Sequence, residues 1–269
     1  MQTLSFISDR RQVMLAVSDV LYVCINGRTC EIHASVGPVY RTHGPLSVLE
    51  KVLGAGFIRI DRGCLVSARA IHEIGDRIVL VNGEALEYAG RRKAAILARV
   101  REEQQRMIEG FGREGVPTTA EAYHQHYQSF DGMPFAFADI EMVFNREQRA
   151  VDWIFRYGNP ALAKLERIPL EQLIDKSFGS LFSNMDAKWL RLYERATLYG
   201  ETLEAVDYSP EIDTRLKVSC FPTFPGHCGC ILFDLDQIRY VRNSDASNDV
   251  LTWFLTRYTE SAGVISLCC

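Results

Sequence analysis

Consecutive basic side chains and tight turns give the first hundred residues a chemistry suited to anions. Arg91, Arg92 and Lys93 are adjacent, and the turn signals Asn26-Gly27 and Asn82-Gly83 lie between apolar runs. Loops at such turns present side chains at the edge of a domain. Lys and Arg neutralise phosphate groups, and Arg can also fork onto a guanine edge. The pattern therefore predicts binding to a polyanion.

Catalytic arrangements are not evident in the same sequence. It contains no Gly-rich phosphate loop, nucleophile elbow, His-Glu-x-x-His helix or carboxylate pair in a plausible cleft. His33, His43 and His72 are scattered among predicted strands, where a histidine usually has a structural role. We therefore expect a protein that is not an enzyme.

The eight cysteines favour buried, reduced thiols. Most lie inside apolar runs such as LYVCI (21–25) and KVSCF (217–221), and two stand at positions 268 and 269. The segment HCGC (227–230) places a histidine beside two cysteines, but a zinc site usually has a wider spacing and a second ligand pair. The sequence therefore predicts no metal site.

The two parts of the chain differ in charge. Residues 1–105 hold 14 Lys and Arg against 11 Asp and Glu, and the remainder holds 16 against 23, so the net charge of −4 divides into +3 and −7. This asymmetry indicates a polyanion-binding module joined to a separate one. The chain has 269 residues, of which 47% are hydrophobic, enough for two cores. Because we see neither a membrane-length apolar run nor a signal-peptide core, we expect a cytoplasmic protein.

Short elements are predicted throughout the first part. Periodicity predicts a helix at 45–56 and strands at 18–25, 28–35, 39–43, 57–67 and within 70–88. A charged helix is expected from Arg91 to Ile108. The Gly- and Pro-rich stretch 110–119 then predicts a domain boundary.

Strands and helices also alternate in the second part. Helices are predicted at 120–130, at 159–184 with an interruption at Pro169, at 185–200 and at 249–258. The predicted strands cover 135–145, 150–159, 201–208, 214–224 and 228–236.

Four segments of the first part resemble the LytTR family of DNA-binding domains. In order they are DVLYV (19–23), PLSVLEKVL (45–53), FIRIDRGCLVSARAIHEI (57–74) and YAGRRKAAIL (88–97). The resemblance covers about residues 5–100, and it implies a mostly-β domain that reads DNA with loops.

The LytTR resemblance also implies roles for particular residues. It places contact positions near Thr29, Arg62 and Arg92. Phosphate contacts beside them are expected at Arg28, Arg91 and Lys93. Asp61 departs from the family, which usually has His there, and Gly63 replaces a small polar residue. Since a phosphate repels a carboxylate, pairing of Asp61 with Arg59 or Arg62 is an alternative that the sequence leaves open.

Residues 120–240 resemble a PAS domain in the order of their elements. Asn159, Ala161 and Asp175-Lys176 hold the places of the family's Asn-x-Ala segment and Gly-Lys-like turn. PAS folds often enclose a pocket, and the resemblance suggests these lining residues, unless they form only a packed aromatic core: Phe137, Trp153, Phe155, Leu190, Tyr193 and Phe221.

The sequence names no cofactor for this PAS-like part. His124 and His126 precede the fold proper and are expected to face solvent rather than bind haem. The segment 156–190 contains no cysteine, which disfavours flavin-thiol photochemistry.

Together these features predict an α+β protein with two domains. Residues 1–108 would form the mostly-β LytTR-like domain with its trailing helix, and residues 109–119 a linker. Residues 120–242 would form the PAS-like domain around a central antiparallel sheet, and residues 243–269 a C-terminal helix and tail.

The predicted function is DNA-binding transcription regulation, with double-stranded DNA as the partner. In one alternative, a small molecule or a partner that binds the PAS-like domain controls DNA binding. In the other, that domain is an interaction module without a ligand. A homodimer is expected, and its pairing surface would come from one of two predicted helices. The helix at 120–130 offers Tyr123, Tyr127 and Phe130, and the helix at 249–258 offers Leu251, Trp253, Phe254 and Tyr258.

Overall fold

The computed structural model describes residues 2–183 and 186–237. We call residues 2–109 the N-terminal part and residues 119–237 the C-terminal part. No helix among the described residues is both long and apolar enough to cross a membrane. The helix predicted at 249–258, with its four candidate pairing residues, lies outside the described residues.

The chain begins with a hairpin that the sequence patterns did not predict. Strands β1 (Thr3–Ser8) and β2 (Arg11–Ala16) are antiparallel, and Leu4 and Phe6 point into the core. The turn between them places Asp9 and Arg10 at positive φ, 48° and 64°. Hairpin turns of this hand usually contain Gly or Asn, so the sequence carries only a weak signal here.

A five-stranded antiparallel sheet with the order β5-β4-β3-β7-β6 forms the centre of the N-terminal part. Its strands are β3 (Val20–Asn26), β4 (Thr29–Ala34), β5 (Tyr40–Thr42), β6 (Phe57–Arg59) and β7 (Cys64–Ser67). Between β5 and β6, helix α1 (Leu46–Leu53) buries Leu46, Leu49 and Leu53 and ends at Gly54, whose φ is 78°.

Both faces of this sheet are covered. The β1–β2 hairpin and α1 pack on one face through residues such as Leu4, Val23 and Leu49. A second, three-stranded sheet packs on the other face and consists of β8 (Ile71–Ile74), β9 (Ile78–Leu80) and β10 (Ala85–Leu86). Helix α2 (Lys93–Glu109) follows and buries Ile96 in this second core.

One pair of cysteines corrects the expectation of reduced thiols. Cys24 of β3 lies directly opposite Cys64 of β7, and a disulfide joins them. Four further described cysteines are free and buried: Cys30, Cys220, Cys228 and Cys230. The expectation failed for the bridged pair because strand register, and not spacing along the chain, brings the two side chains together.

The C-terminal part contains a second five-stranded antiparallel sheet, with the order β12-β11-β15-β14-β13. Its strands are β11 (Ala136–Phe144), β12 (Ala150–Gly158), β13 (Leu203–Ser209), β14 (Thr214–Pro222) and β15 (His227–Asp234). Its helices are α3 (Ala120–Tyr127), α4 (Pro160–Glu166), α5 (Leu170–Leu173), α6 (Phe178–Leu181) and α7 (Ala187–Tyr199). These strands lie close to those predicted by periodicity.

The helices divide between the two faces of this sheet. The main core, with Trp153, Leu162 and Tyr193, lies between one face and α4 to α7. The opposite face, with Phe137 and Tyr157, packs against α3. Buried Asn159 joins these layers, because its side chain caps α4 at Leu162 N and also accepts from the Phe137 N–H.

Candidate nucleic-acid interface

Two loops lie side by side at one end of the N-terminal sheet. Because β3 pairs with β7, the turn after β3 meets the loop before β7, and the Ile25 N–H donates to the Gly63 carbonyl over 2.7 Å. Arg28 is exposed in the first loop, and Arg62 is exposed in the second. The structure therefore brings two of the predicted contact segments to one edge.

Hydrogen bonds hold the backbone of both loops. The Thr29 hydroxyl donates to the Asn26 carbonyl over 3.1 Å, inside its own turn. The Asp61 carboxylate accepts the Gly63 N–H over 2.6 Å. Asp61 thus closes its own loop, and among the described residues no ion pair joins its side chain to Arg59 or Arg62.

Arg59 supports the loop that carries Arg62. Its guanidinium donates to the Asp61 carbonyl over 3.2 Å and to the Arg62 carbonyl over 2.6 Å, and it pairs with Glu50 over 2.9 Å. These bonds hold the backbone carbonyl groups of the loop in place, and the Arg62 side chain projects from the loop.

The basic run forms the entry to α2. Gly90–Arg92 is a 3-10 turn, and the α-helix begins at Lys93 rather than at Arg91. Arg91 and Lys93 are exposed, whereas Arg92 is half-buried. The first turn of α2 holds no acidic residue. Cations at a helix N-terminus oppose the helix dipole and cost about 0.3–1 kcal/mol each.

Arg92 also lines a recess of about 230 Å³ together with Glu50, Arg59 and Arg99. Arg59 pairs there with Glu50, and Arg99 pairs with Glu102 over 2.6 Å. Arg92 has no carboxylate partner among the described residues. Our sequence reasoning missed Arg59 and Arg99 as members of this basic group. The available signal was the separation of seven between Arg92 and Arg99, which places them on one helix face.

The predicted pocket of the C-terminal part is only partly present. A cavity of about 40 Å³ lies between the sheet and its helices, and Trp153, Phe155 and Tyr193 line it. Leu190 belongs to the same core but does not line the cavity. Phe137 and Phe221 lie on the opposite face, beneath α3, so their prediction as pocket residues is wrong. The alternation of side chains along β11 and β14 separates them from the cavity.

This cavity has a polar side and the size of a few water molecules. Glu166 is buried there, and burial, followed by the nearby Glu211 carboxylate, raises the pKa of its side chain to about 7. The buried Trp189 Nε1 has no hydrogen-bond partner among the described atoms. A volume of 40 Å³ accommodates about two or three waters, whereas pockets for drug-sized molecules measure about 300–1,000 Å³.

A buried polar network joins α3 to the sheet. The two oxygens of the Asp139 carboxylate contact His227 Nδ1 at 2.7 Å and accept from the Tyr127 and Thr223 hydroxyls over 2.8 and 2.6 Å. The Tyr123 hydroxyl lies 3.4 Å from His227 Nε2.

This network bears on two of the sequence-based expectations. Tyr123 and Tyr127 are buried within their own part, so they do not offer the exposed pairing surface that was expected of α3. Phe130 is partly buried against the same cluster. His124 and His126 are exposed, as expected.

Residues 10–100 match the family model of the LytTr DNA-binding domain. The predicted LytTR domain is thereby confirmed over those residues. None of the curated proteins matches this chain.

Three solved structures are similar to parts of the chain. The LytTr DNA-binding domain of a methyl-accepting/DNA response regulator from Bacillus cereus is 17% identical, with a TM-score of 0.33, and the match covers 37% of this chain and 96% of that one. A domain of a sensory box sensor histidine kinase/response regulator from Geobacter sulfurreducens is 16% identical, with a TM-score of 0.29 and coverage of 46% and 100%. An RNA-binding light-oxygen-voltage receptor is 11% identical, with a TM-score of 0.29 and coverage of 55% and 56%. Likenesses at these TM-scores carry no argument about function.

Proposed function

We propose that this chain is a DNA-binding transcription regulator whose LytTR domain reads duplex DNA through its loops. The observation that carries the proposal is the placement of Arg91 and Lys93 at the start of α2. Both are exposed where a helix disfavours cations, and neither has a carboxylate partner among the described residues. A polyanion would provide the missing negative charge.

Within this proposal the basic residues divide into two roles. Arg62 projects from a loop that Arg59 and Asp61 hold in place, which suits contact with a base edge. Arg28, Arg91 and Lys93 suit contacts with phosphates, which set register but carry no sequence information. Thr29 and Arg92 lie beside these groups and complete the proposed surface.

Salt dependence of binding tests the proposal. Duplexes selected from a random pool by the full-length protein are titrated in a mobility-shift assay at several salt concentrations. With about four phosphate contacts, the logarithm of the association constant should fall with the logarithm of salt with a slope of about −3 to −4. Failure to select or bind any duplex at low salt would remove the proposal.

We also propose that the C-terminal part forms a PAS-like domain that acts through protein contacts. Its order of elements supports the family, and the 40 Å³ cavity between its sheet and α4 to α7 is too small for a flavin or haem. This favours the interaction module over an enclosed large cofactor. The purified full-length protein should therefore show no visible absorption band, and a stoichiometric chromophore would contradict this proposal.

Pairing of two copies remains part of the proposed function. LytTR sites usually come as paired repeats, and linking two readers raises avidity without new contacts. Since α3 packs on its own sheet, the described candidate surface is the edge strand β13, where Val206 and Tyr208 are exposed. Light scattering on the full-length protein should give the mass of a dimer at a protein concentration of about tens of micromolar. This concentration is well above a dimer Kd of about 1 μM. A monomer at that concentration would leave pairing to the DNA.

A further inference from the structure

A cleft of about 450 Å³ lies between the N-terminal and C-terminal parts. One wall comes from β8 and α2, with Ile71, Leu97 and Arg101 among its residues. The other wall comes from α7 and from Arg149, which directly precedes β12. Its volume is within the range of about 300–1,000 Å³ that small-molecule sites occupy.

A set of contacts next to the cleft joins its two walls. The Arg69 guanidinium donates to the Tyr199 carbonyl over 2.8 Å, and the Arg195 guanidinium donates to the Arg69 carbonyl over 3.0 Å. Both guanidinium groups also lie over the Tyr199 ring, at 5.7 and 5.2 Å from its centroid. These contacts hold the two walls in one arrangement, so the cleft is a formed space between the two parts.

Much of the negative charge in the cleft is already paired. One Glu194 oxygen accepts from Arg191 over 2.8 Å, and the other accepts from the Ala150 N–H over 2.8 Å. Arg195 pairs with Glu201 over 2.9 Å.

Two arginines of the cleft have no such partner. Arg101 from α2 and Arg149 from the opposite wall pair with no carboxylate among the described residues, and both are exposed. Glu73 is the one lining carboxylate that no described arginine pairs with, so the lining keeps an excess of positive charge. Two like charges that face the same space from opposite walls attract an anion between them.

The remaining surface of the cleft is apolar. Ile71, Leu97 and Val100 line it, together with the side chain of Tyr199. Inorganic ions gain nothing from such a surface, whereas burial of an apolar or planar group gains about 25 cal/mol per Å². The occupant that fits both features is an organic anion with an apolar body.

We propose that this cleft binds an organic dianion, a phosphate monoester or a dicarboxylate with a planar or apolar body, between Arg101 and Arg149. The site is separate from the proposed DNA surface and does not depend on DNA binding. Because the ligand contacts both walls, it ties the LytTR domain to the C-terminal part.

Calorimetric titration of the full-length protein without DNA tests this site. Adenosine monophosphate serves as the phosphate probe and phthalate as the dicarboxylate probe. Adenosine, which lacks the charge, and inorganic phosphate, which lacks the body, serve as controls. At least one probe should bind with a Kd below about 1 mM, and both controls should bind at least about tenfold more weakly. The probe that binds identifies the charged group.

Two variants test directly whether Arg101 and Arg149 both bind the ligand. Arg101→Gln and Arg149→Gln should each weaken binding by about fivefold or more, because each removes one charge-assisted contact. Arg146→Gln, in the same turn as Arg149 but outside the cleft, and Arg62→Ala, at the proposed DNA surface, should leave the affinity unchanged.

Several outcomes would overturn the proposal. These are the absence of binding by either probe, equal binding of a control ligand, and an effect confined to one of the two cleft arginines. Since the titration contains no DNA, each of these results is distinguishable from a failure of the proposed DNA binding.

Discussion

The LytTR domain and the C-terminal part treat charge in opposite ways. In the LytTR domain, Arg28 and Arg62 are exposed on loops and Arg91 is exposed in the 3-10 turn before α2, and none of them pairs with a carboxylate among the described residues. In the C-terminal part, Asp139 is 0% exposed and His227 is 2% exposed, and they contact each other. The first arrangement leaves charge available to an external partner. The second uses buried polar side chains to hold one layer of the fold against another.

The comparison predicts that a carboxylate contributes most to the free energy of unfolding where it is buried. Asp139→Ala should lower the free energy of unfolding by about 3–5 kcal/mol, because it leaves His227 and the Tyr127 and Thr223 hydroxyls without their acceptor. Denaturant unfolding followed by tryptophan fluorescence measures this loss, since Trp153 and Trp189 are buried in the C-terminal core.

Glu141→Ala is the matched control on the same strand. Glu141 pairs with Arg156 at the surface, where its side chain is 39% exposed. Its loss should cost less than about 1 kcal/mol. Equal losses for the two variants would remove the distinction between buried and exposed charge.

A pH series sharpens the comparison at Glu166. Its pKa of about 7 in the folded protein exceeds the ordinary value of 4.5, so the folded state holds the additional proton between those values. The free energy of unfolding should therefore fall as pH rises from about 4.5 through 7, and it should stay lower above that. Glu166→Gln cannot ionise, and it should be more stable than the natural chain at about pH 8 by on the order of 2–3 kcal/mol.

Thermal unfolding below and above this pH range checks the prediction. At about pH 3.5, below both pKa values, the stabilisation by Glu166→Gln should disappear, because Glu166 is then largely protonated in both states. Glu171→Gln, at an exposed position of α5, should change stability little at either pH. A gain in stability for Glu166→Gln that does not depend on pH would show that burial does not raise the pKa of Glu166 as described.

The smallest expected effects concern the division of roles within the DNA surface. Arg62→Ala should lose about 1–3 kcal/mol of specific binding together with sequence preference. Lys93→Ala should weaken binding to all duplexes about equally and reduce the salt slope by about 1. Titrations with selected and scrambled duplexes separate the two patterns, and identical behaviour would mean that the division is wrong.

Local patterns predicted much of the fold. The strands β11 and β12 begin and end within about one residue of the alternating runs that predicted them, and α7 ends at Gly200 as expected. The basic run and the Asn26-Gly27 turn also lie where the sequence places them. These features depend on neighbouring residues, so a sequence carries them directly.

Contacts between distant segments were less predictable. The β1–β2 hairpin has no Gly in its turn, and the Cys24–Cys64 bridge joins residues 40 positions apart. The six pocket candidates were all aromatic or apolar, yet Phe137 and Phe221 lie on the other face of the sheet. Side-chain alternation separates the two faces of a strand, but it does not say which helices will cover each face.

By itself the sequence determined the types of element, the LytTR segments and the supply of basic residues near loops. Only the tertiary structure decided which charged side chains bond within the protein and which have no charged partner among the described residues. Arg59 supports a loop, Asp61 closes it, and Arg101 and Arg149 line the same cleft between the two parts. The reason is that pairing depends on strand register and on packing between elements far apart in the chain, which no local periodicity records.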